Sequence, residues 1–288
     1  MFTSFTAQTY PTKIRNCVFS SMDLSAGVYR FLNCEMRGNT GDGLVSVQNG
    51  ANGVLEGCAI YRPTNIDNPM ACEYNRTTFY EPVTVNRGPH NFNNCVFKNQ
   101  VVLSNALGHS STNTFSNCTF VSGAYTPLVS ITTNGNHVFR SCVLNNQAGI
   151  GIDVTNGTHS VQLHNCLMET SSHCLQTDNG VQTIIYGNNL RAYGGGECVR
   201  FVTVSTGGGA TQRISDNHMT ALLGSTCVRI SQVAALGIFI TGNSFVSFGA
   251  GCVTNNSTTV ISGYNKAVGN TLVLYSGTAP AIILAATG

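Results

Sequence analysis

A short repeat runs through most of the chain and constrains its fold more than any other feature. The repeat is centred on a position that holds Cys or Asn, with a turn-forming residue before it and large apolar residues three positions before and two after. Most copies follow one another at 22 to 29 residues, and a period of this size predicts a solenoid of stacked coils. The central residues are Cys17, Cys34, Cys58, Cys95, Cys118, Cys142, Cys166, Asn188, Asn217 and Asn243.

One copy shows how the pattern works. Phe92 and Phe97 lie on two short strands joined by a bend at Asn94, and both point into one core because side chains alternate along a strand. Asn, Gly, Ser or Asp fills the bend position in all ten copies, and most of these residues tolerate a left-handed backbone. The pattern predicts an all-β, single-stranded parallel β-helix of about eleven coils, the last a degenerate copy at Ile261-Ser262-Gly263-Tyr264.

The motif apolar-x-Gly-Asn-x-apolar, clearest in Ile240-Thr241-Gly242-Asn243-Ser244-Phe245, resembles the repeat of the pectate-lyase-like superfamily. The resemblance extends over roughly residues 12 to 266 and implies a right-handed β-helix. Polysaccharide lyases, glycoside hydrolases, phage tailspikes and fibres, and non-enzymatic virion proteins all share that fold. It therefore implies no single function, and none of the superfamily's catalytic residues can be assigned to a position in this chain.

One interval departs from the period, because Cys58 and Cys95 are 37 residues apart. We expect a β-helix over residues 1–262 with an inserted loop at about 61–89, followed by a C-terminal cap or assembly segment at 263–288. Insertions in solenoids often form a binding face, although a loop that only covers the solenoid is an equal alternative. The aromatic and arginine side chains suited to binding are Tyr61, Arg62, Tyr74, Arg76, Phe79, Tyr80 and Arg87.

The cysteines predict stacked thiols. Besides the seven in the repeat, Cys174, Cys198, Cys227 and Cys252 form a second ladder, and only Cys72 lies outside both. Ladder neighbours have parallel Cβ vectors that suit a disulfide poorly, and no Cys-x-x-Cys supplies zinc-ligand spacing. His90 and His137 share a position of the repeat, and we expect them to face solvent. We therefore expect no metal and no cofactor.

Acidic residues are scarce, with twelve in the whole chain. Glycosidic hydrolysis needs two carboxyl groups about 5 to 10 Å apart, and the candidates are Asp153, Asp178 and Glu197. Asp153 is expected in an outward column shared with Gln176, Arg200 and Arg229, which makes a mixed polar column. An acidic catalytic cleft is not evident.

The leading interpretation is a structural protein of a phage or other virus, either a fibre, a spike or a capsid-attached component for assembly or host attachment. Expected partners are other virion proteins, further copies of the chain as a homotrimer, and a host-surface glycan. The net charge of +2 gives no reason to expect nucleic acid. The alternatives are a carbohydrate-active enzyme acting along the outer groove and a bacterial carbohydrate-binding or adhesive solenoid.

Localisation follows from the same reasoning. Met1-Phe2-Thr3-Ser4-Phe5 lacks the basic and apolar regions of a signal peptide, and the apolar stretch at 279–286 is too short to span a bilayer. We therefore expect no membrane insertion, folding in a host cytoplasm with reduced cysteines, and a final location in the virion.

Overall fold

The computed structural model describes residues 12–20, 22–24, 27–37, 45–48, 51–104, 111–123, 127–132, 135–155, 160–178, 181–202, 211–231, 237–248, 251–255 and 264–274. Within these ranges every regular element is a β-strand. The strands are of three types, which recur in the same order along the chain.

The first type precedes each bend and comprises β1 (Thr12–Arg15), β4 (Gly27–Leu32), β7 (Ala51–Glu56), β10 (Cys72–Asn75), β13 (His90–Asn93), β16 (Ser111–Ser116), β19 (Gly135–Arg140), β22 (Ser160–His164), β25 (Gln182–Tyr186), β28 (Thr211–Ser215), β31 (Gly237–Thr241) and β34 (Tyr264–Val268). The second type follows the bend and comprises β2 (Val18–Phe19), β5 (Glu35–Met36), β8 (Ala59–Ile60), β11 (Thr78–Phe79), β14 (Val96–Phe97), β17 (Thr119–Ser122), β20 (Val143–Asn146), β23 (Leu167–Thr170), β26 (Asn189–Ala192), β29 (His218–Ala221), β32 (Ser244–Ser247) and β35 (Thr271–Leu274). The third type closes the coil and comprises β3 (Met22–Leu24), β6 (Val45–Val47), β9 (Thr64–Asp67), β12 (Val83–Arg87), β15 (Val101–Leu103), β18 (Val129–Ile131), β21 (Ile152–Val154), β24 (Leu175–Asp178), β27 (Val199–Val202), β30 (Val228–Ile230) and β33 (Val253–Asn255).

The chain divides into two compact units. The first contains Met1–Ser122 and Thr132–Cys142, and the second contains Gly123–Ile131 and Val143–Gly288. In the first unit the sheets have the orders β1-β4-β7-β10-β13-β16-β19, β2-β5-β8-β11-β14-β17 and β3-β6-β9-β12-β15. In the second unit the orders are β22-β25-β28-β31-β34, β20-β23-β26-β29-β32-β35 and β18-β21-β24-β27-β30-β33. Each strand pairs in parallel with the same type of strand one coil away, so the predicted right-handed parallel β-helix is confirmed.

The bend before each central residue has the left-handed backbone that the sequence predicted. Its φ is positive in all ten predicted copies, for example 54° at Asn94 and 69° at Gly242. The central residue then points inward, where a short donor is needed. Cys118 donates from Sγ to the carbonyl oxygen of Phe92 at 3.2 Å, and Asn217 donates from Nδ2 to that of Ile185 at 3.0 Å. Cys and Asn can alternate in this ladder because both supply that donor.

Stacked aromatic rings fill the core of the first unit. The ring centroids of Phe92 and Phe115 lie 4.7 Å apart, and those of Phe115 and Phe139 lie 4.9 Å apart, with nearly parallel planes. A second column contains Phe97 and Phe120 at 4.7 Å. All five side chains are fully buried, which confirms the two predicted apolar columns. Offset-stacked rings add to the stabilisation that burial provides.

The expected inserted loop at 61–89 is wrong, because this stretch forms a complete coil. Strands β10, β11 and β12 lie within it, and each pairs in register with strands of the coils on both sides. Its bend is at Arg76, with φ 51°, and its central residue is Thr77, which donates to the carbonyl oxygen of Leu55 at 3.3 Å. The 37-residue interval is therefore two short coils.

The predicted boundary at 262 is also wrong. Strands β34 and β35 pair in register with β31 and β32, so the repeat continues into the segment expected to be a cap. The last described bend is at Gly269, and its central residue is Asn270, which accepts from the backbone nitrogen of Asn243 at 2.9 Å. The eleventh copy predicted at 261–264 is displaced accordingly. Residues 261–263 and 275–288 lie outside the described residues.

Candidate functional site

Two of the seven predicted binding residues belong to the core. Tyr74 stacks on Phe92 with ring centroids 4.6 Å apart, and Phe79 stacks on Phe97 at 5.0 Å. Tyr74 and Phe79 are 0% and 1% exposed, so the prediction that they form a binding surface is wrong. The register explains the error, because both occupy the inward apolar positions of the coil that the sequence analysis treated as a loop.

Two further predicted binding residues hold ion pairs on the outer surface of the first unit. Arg76 pairs with Glu56, which also accepts from Arg30 at 3.1 Å, and Arg87 pairs with Asp67. The hydrogen bond from Arg30 lowers the pKa of Glu56, and the positive charge of Arg76 lowers it further. These arginines are thus compensated by carboxylates one coil away.

Tyr61 and Tyr80 are the predicted binding residues that form an exposed pair. Their ring centroids lie 4.2 Å apart with planes 11° from parallel, and the residues are 36% and 39% exposed. The guanidinium of Arg37 lies 5.4 Å from the Tyr61 ring centroid, on the preceding coil. On the next coil Lys98 occupies the position equivalent to Tyr80, because the backbone nitrogen of Tyr80 donates to Ile60 and that of Lys98 donates to Phe79. We call the column Arg37, Tyr61, Tyr80 and Lys98 the tyrosine ladder.

Arg62 comes directly after Tyr61 in the sequence. Its Nε and Nη2 are buried and have no hydrogen-bond partner, although the residue as a whole is partly exposed. These two nitrogens are therefore buried donors without an acceptor. A buried donor without a partner is destabilising, so Arg62 adds nothing that an external acceptor could reach.

The predicted column around Asp153 is confirmed in the second unit. Asp153 pairs in register with Gln176, Gln176 with Arg200, and Arg200 with Arg229. Gln176 donates from Nε2 to Oδ1 of Asp153 at 3.1 Å. Asp178 ends β24, and its side chain lies outside the described part of the chain.

Glu197 joins this column from the turn before β27. Its side chain is only 6% exposed, and its Oε1 accepts from Nη1 of Arg229 at 2.8 Å while Oε2 lies 2.7 Å from Nδ1 of His173. Burial acts to raise the pKa of Glu197, but the hydrogen bonds and charges of His173 and Arg229 prevail and lower it to about 2. The carboxylate is therefore ionised at neutral pH.

His173 connects Glu197 to the other arginine. Nη1 of Arg200 lies 3.0 Å from Nε2 of His173, and the backbone N–H of Glu197 donates to Nδ1 of His173 at 3.0 Å. We call His173, Glu197, Arg200 and Arg229 the glutamate cluster. Sequence reasoning missed His173 as a partner, although its separation from Glu197 equals the 24 residues between Cys174 and Cys198.

The expectation that His90 and His137 face solvent is wrong. Both residues, and Asn113 between them on the same ladder, are 0% exposed. Nε2 of His90 lies 2.7 Å from the carbonyl oxygen of Arg87, and the backbone N–H of Cys72 donates to its Nδ1 at 3.2 Å. Burial lowers the pKa of His90 from 6.5 to about 4.

All twelve cysteines are free thiols, and all but Cys17 are buried. Burial raises the pKa of Cys58 and Cys252 to about 11. The described residues contain no group of three or more His, Cys, Asp or Glu side chains arranged to hold a metal ion. They also contain no helix long and apolar enough to cross a membrane.

Comparison with known proteins does not assign the chain to a group. No family model matches it, and neither a curated protein nor a solved structure matches it significantly. Function is therefore inferred from the tyrosine ladder and the glutamate cluster themselves.

Proposed function

We propose that the chain is a non-catalytic structural component of a virus particle, a β-helical fibre, spike or capsid-attached protein that serves assembly or host attachment. The resemblance of its repeat to that of β-helical phage proteins supports this assignment. So does a surface with few charges, since charged residues make up 9% of the chain. Stacked coils provide a rigid support on which a contact surface can be presented.

The ionised state of the Glu197 carboxylate is the observation that supports a non-catalytic role. A glycosidase needs one carboxyl group that is protonated near neutral pH so that it can act as general acid. Glu197 has the opposite property, since its pKa is about 2 and both oxygens face basic partners. The other described candidate, Asp153, accepts a hydrogen bond from Nε2 of Gln176 at 3.1 Å in a column that is otherwise basic or neutral.

The tyrosine ladder is the proposed contact surface. Tyr and Arg are enriched among residues that dominate binding energy, and the two exposed rings here are already ordered by their mutual stacking. Ordered side chains lose little conformational entropy on binding. The proposed partners are another virion protein, further copies of this chain as a homotrimer, or a host-surface glycan.

The experiment combines electron microscopy of the particle with replacement of the ladder. Particles that carry Tyr61→Ala and Tyr80→Ala should lose the protein or lose attachment to host cells, while circular dichroism still shows a folded β-protein. The matched control is Tyr186→Ala, which removes an exposed tyrosine of the second unit. The contact-surface proposal fails if the ladder variant incorporates and attaches as well as the control.

A second candidate function is a carbohydrate-active enzyme. The observation that favours it is the convergence of Asp153, Glu197 and His173 on connected positions of the second unit. Incubation of the purified protein with host capsular polysaccharide tests it directly. Depolymerisation that Glu197→Gln or Asp153→Asn abolishes without unfolding would establish the enzyme and overturn the non-catalytic proposal.

A further inference from the structure

The tyrosine ladder has a geometry that bears on covalent chemistry. Tyr61 and Tyr80 occupy equivalent positions of successive coils, because Tyr61 donates from its backbone nitrogen to Met36 and Tyr80 donates to Ile60. Their rings are nearly parallel at 4.2 Å between centroids, which is closer than the core stacks. Equivalent positions on successive coils thus bring the two phenol rings into face-to-face contact.

We propose that Tyr61 and Tyr80 form a site of oxidative cross-linking, in which a one-electron oxidant converts them into a dityrosine. Each phenol loses one electron and one proton to become a phenoxyl radical. The two radicals couple through a new carbon–carbon bond between ortho carbons, and the hydrogen on each of those carbons moves to oxygen and restores the aromatic rings. With a haem peroxidase as catalyst, one hydrogen peroxide accepts the two electrons and two protons and becomes two water molecules.

The surroundings of the pair favour this reaction. More than a third of each residue is exposed, so an oxidant can reach the rings. The hydrogen bond between the phenols, which raises the pKa of Tyr61, also holds the two hydroxyl groups on the same side. A proton acceptor next to the oxidised phenol is thereby present before the reaction starts.

Other tyrosines of the described residues lack one of these properties. Tyr29 and Tyr74 are 1% and 0% exposed. Tyr186 is 46% exposed, but its described ring neighbour is His164, at 6.4 Å. Among the described residues, no other two tyrosine rings are in contact. Within the described ranges, the proposed bond is therefore specific to one pair.

The bond would join two successive coils of the first unit. Tyr61 lies between β8 and β9, and Tyr80 lies between β11 and β12. Backbone hydrogen bonds already hold these coils together, and a covalent link would prevent them from separating locally. This inference does not depend on the proposed virion role, since the reaction needs only the folded chain and an oxidant.

The test treats dilute, folded full-length protein with peroxidase and hydrogen peroxide. We expect the monomer to lose the mass of two hydrogen atoms and to acquire dityrosine fluorescence. Trypsin cleaves at Arg76, between the two tyrosines, so the digest should contain a cross-linked pair of peptides, one with Tyr61 and one with Tyr80.

Three variants decide the outcome. Tyr61→Phe and Tyr80→Phe keep the ring stack but remove one phenol, and each should reduce the intramolecular product at least tenfold. Tyr186→Phe should leave it unchanged. The proposal is overturned if either ladder variant still yields the product, or if oxidation of the wild-type protein gives only cross-links between molecules.

Discussion

Acid should weaken the first unit through one buried histidine. His90 is fully buried, and its two ring nitrogens are both satisfied when the ring is neutral, with Nδ1 accepting from Cys72 and Nε2 donating to Arg87. A proton on Nδ1 would face the N–H of Cys72 and break that hydrogen bond. It would also place a charge beside the ring of Tyr74, inside the apolar core.

The magnitude follows from the lowered pKa. Burial moves the pKa of His90 from 6.5 to about 4, so between these values the unfolded chain binds a proton that the folded chain rejects. The free energy of unfolding is therefore highest above pH 6.5, where His90 is neutral in both states, and it decreases as the pH falls. At about 1.4 kcal/mol per pH unit, the loss is about 2 kcal/mol by pH 5 and about 3 kcal/mol below pH 4.

The assay is equilibrium unfolding in guanidinium chloride at pH 7 and pH 5, for the wild type and for His90→Asn. Asparagine is chosen because Asn113 occupies the same ladder position one coil later. The variant should be less stable at pH 7 but should lose about 2 kcal/mol less than the wild type on going to pH 5. Glu197 titrates below this range and contributes little to the difference. Equal losses in the two proteins would refute the argument.

Three other predictions concern the ladders. Phe115→Ala should cost about 3 to 5 kcal/mol of unfolding free energy in denaturant titrations, since it leaves a cavity between two stacked rings; a cost below about 1 kcal/mol would mean that the register is wrong. Asn217→Ala should cost about 2 to 4 kcal/mol, because it leaves the buried backbone nitrogen of Asn188 without an acceptor, and Asn217→Cys should cost less because it keeps the donor to Ile185. Alkylation of the folded protein, measured by mass spectrometry, should leave buried thiols such as Cys198 unmodified until denaturant is added. If Cys198 in the folded protein reacts as fast as an exposed thiol, it is not packed in the core.

Much of the architecture could be predicted because the repeat indicates both which residues are buried and where the backbone turns. A bend residue with positive φ, followed by a short inward donor and flanked by large apolar residues, leaves few alternatives to a β-helix. The column that contains Asp153, Gln176 and Arg200 was predictable for the same reason, since one correct register places every other residue of the coil.

The coil centred on Thr77 escaped prediction because two of its positions hold unusual residues. Arg76 is not a turn former, yet it adopts φ 51°, and Thr77 replaces the expected Cys or Asn. The hydroxyl of Thr77 nevertheless makes the hydrogen bond that Cys and Asn make in other coils, here to Leu55. The position therefore selects a short donor and not a particular residue, a requirement that becomes evident only when the acceptor is known.

The position of the candidate sites follows from coil length. In a solenoid, residues one coil apart in sequence become neighbours in space, so a contact can be sought at the local period. Tyr61 and Tyr80 are separated by 19 residues, the length of the short coil between Cys58 and Thr77. When a coil is interpreted as a loop, the neighbours of its outward residues on adjacent coils cannot be predicted. The two tyrosines were therefore predicted as separate binding residues. The two tyrosines form a site because their rings stack, and the rings stack because they occupy equivalent positions of successive coils.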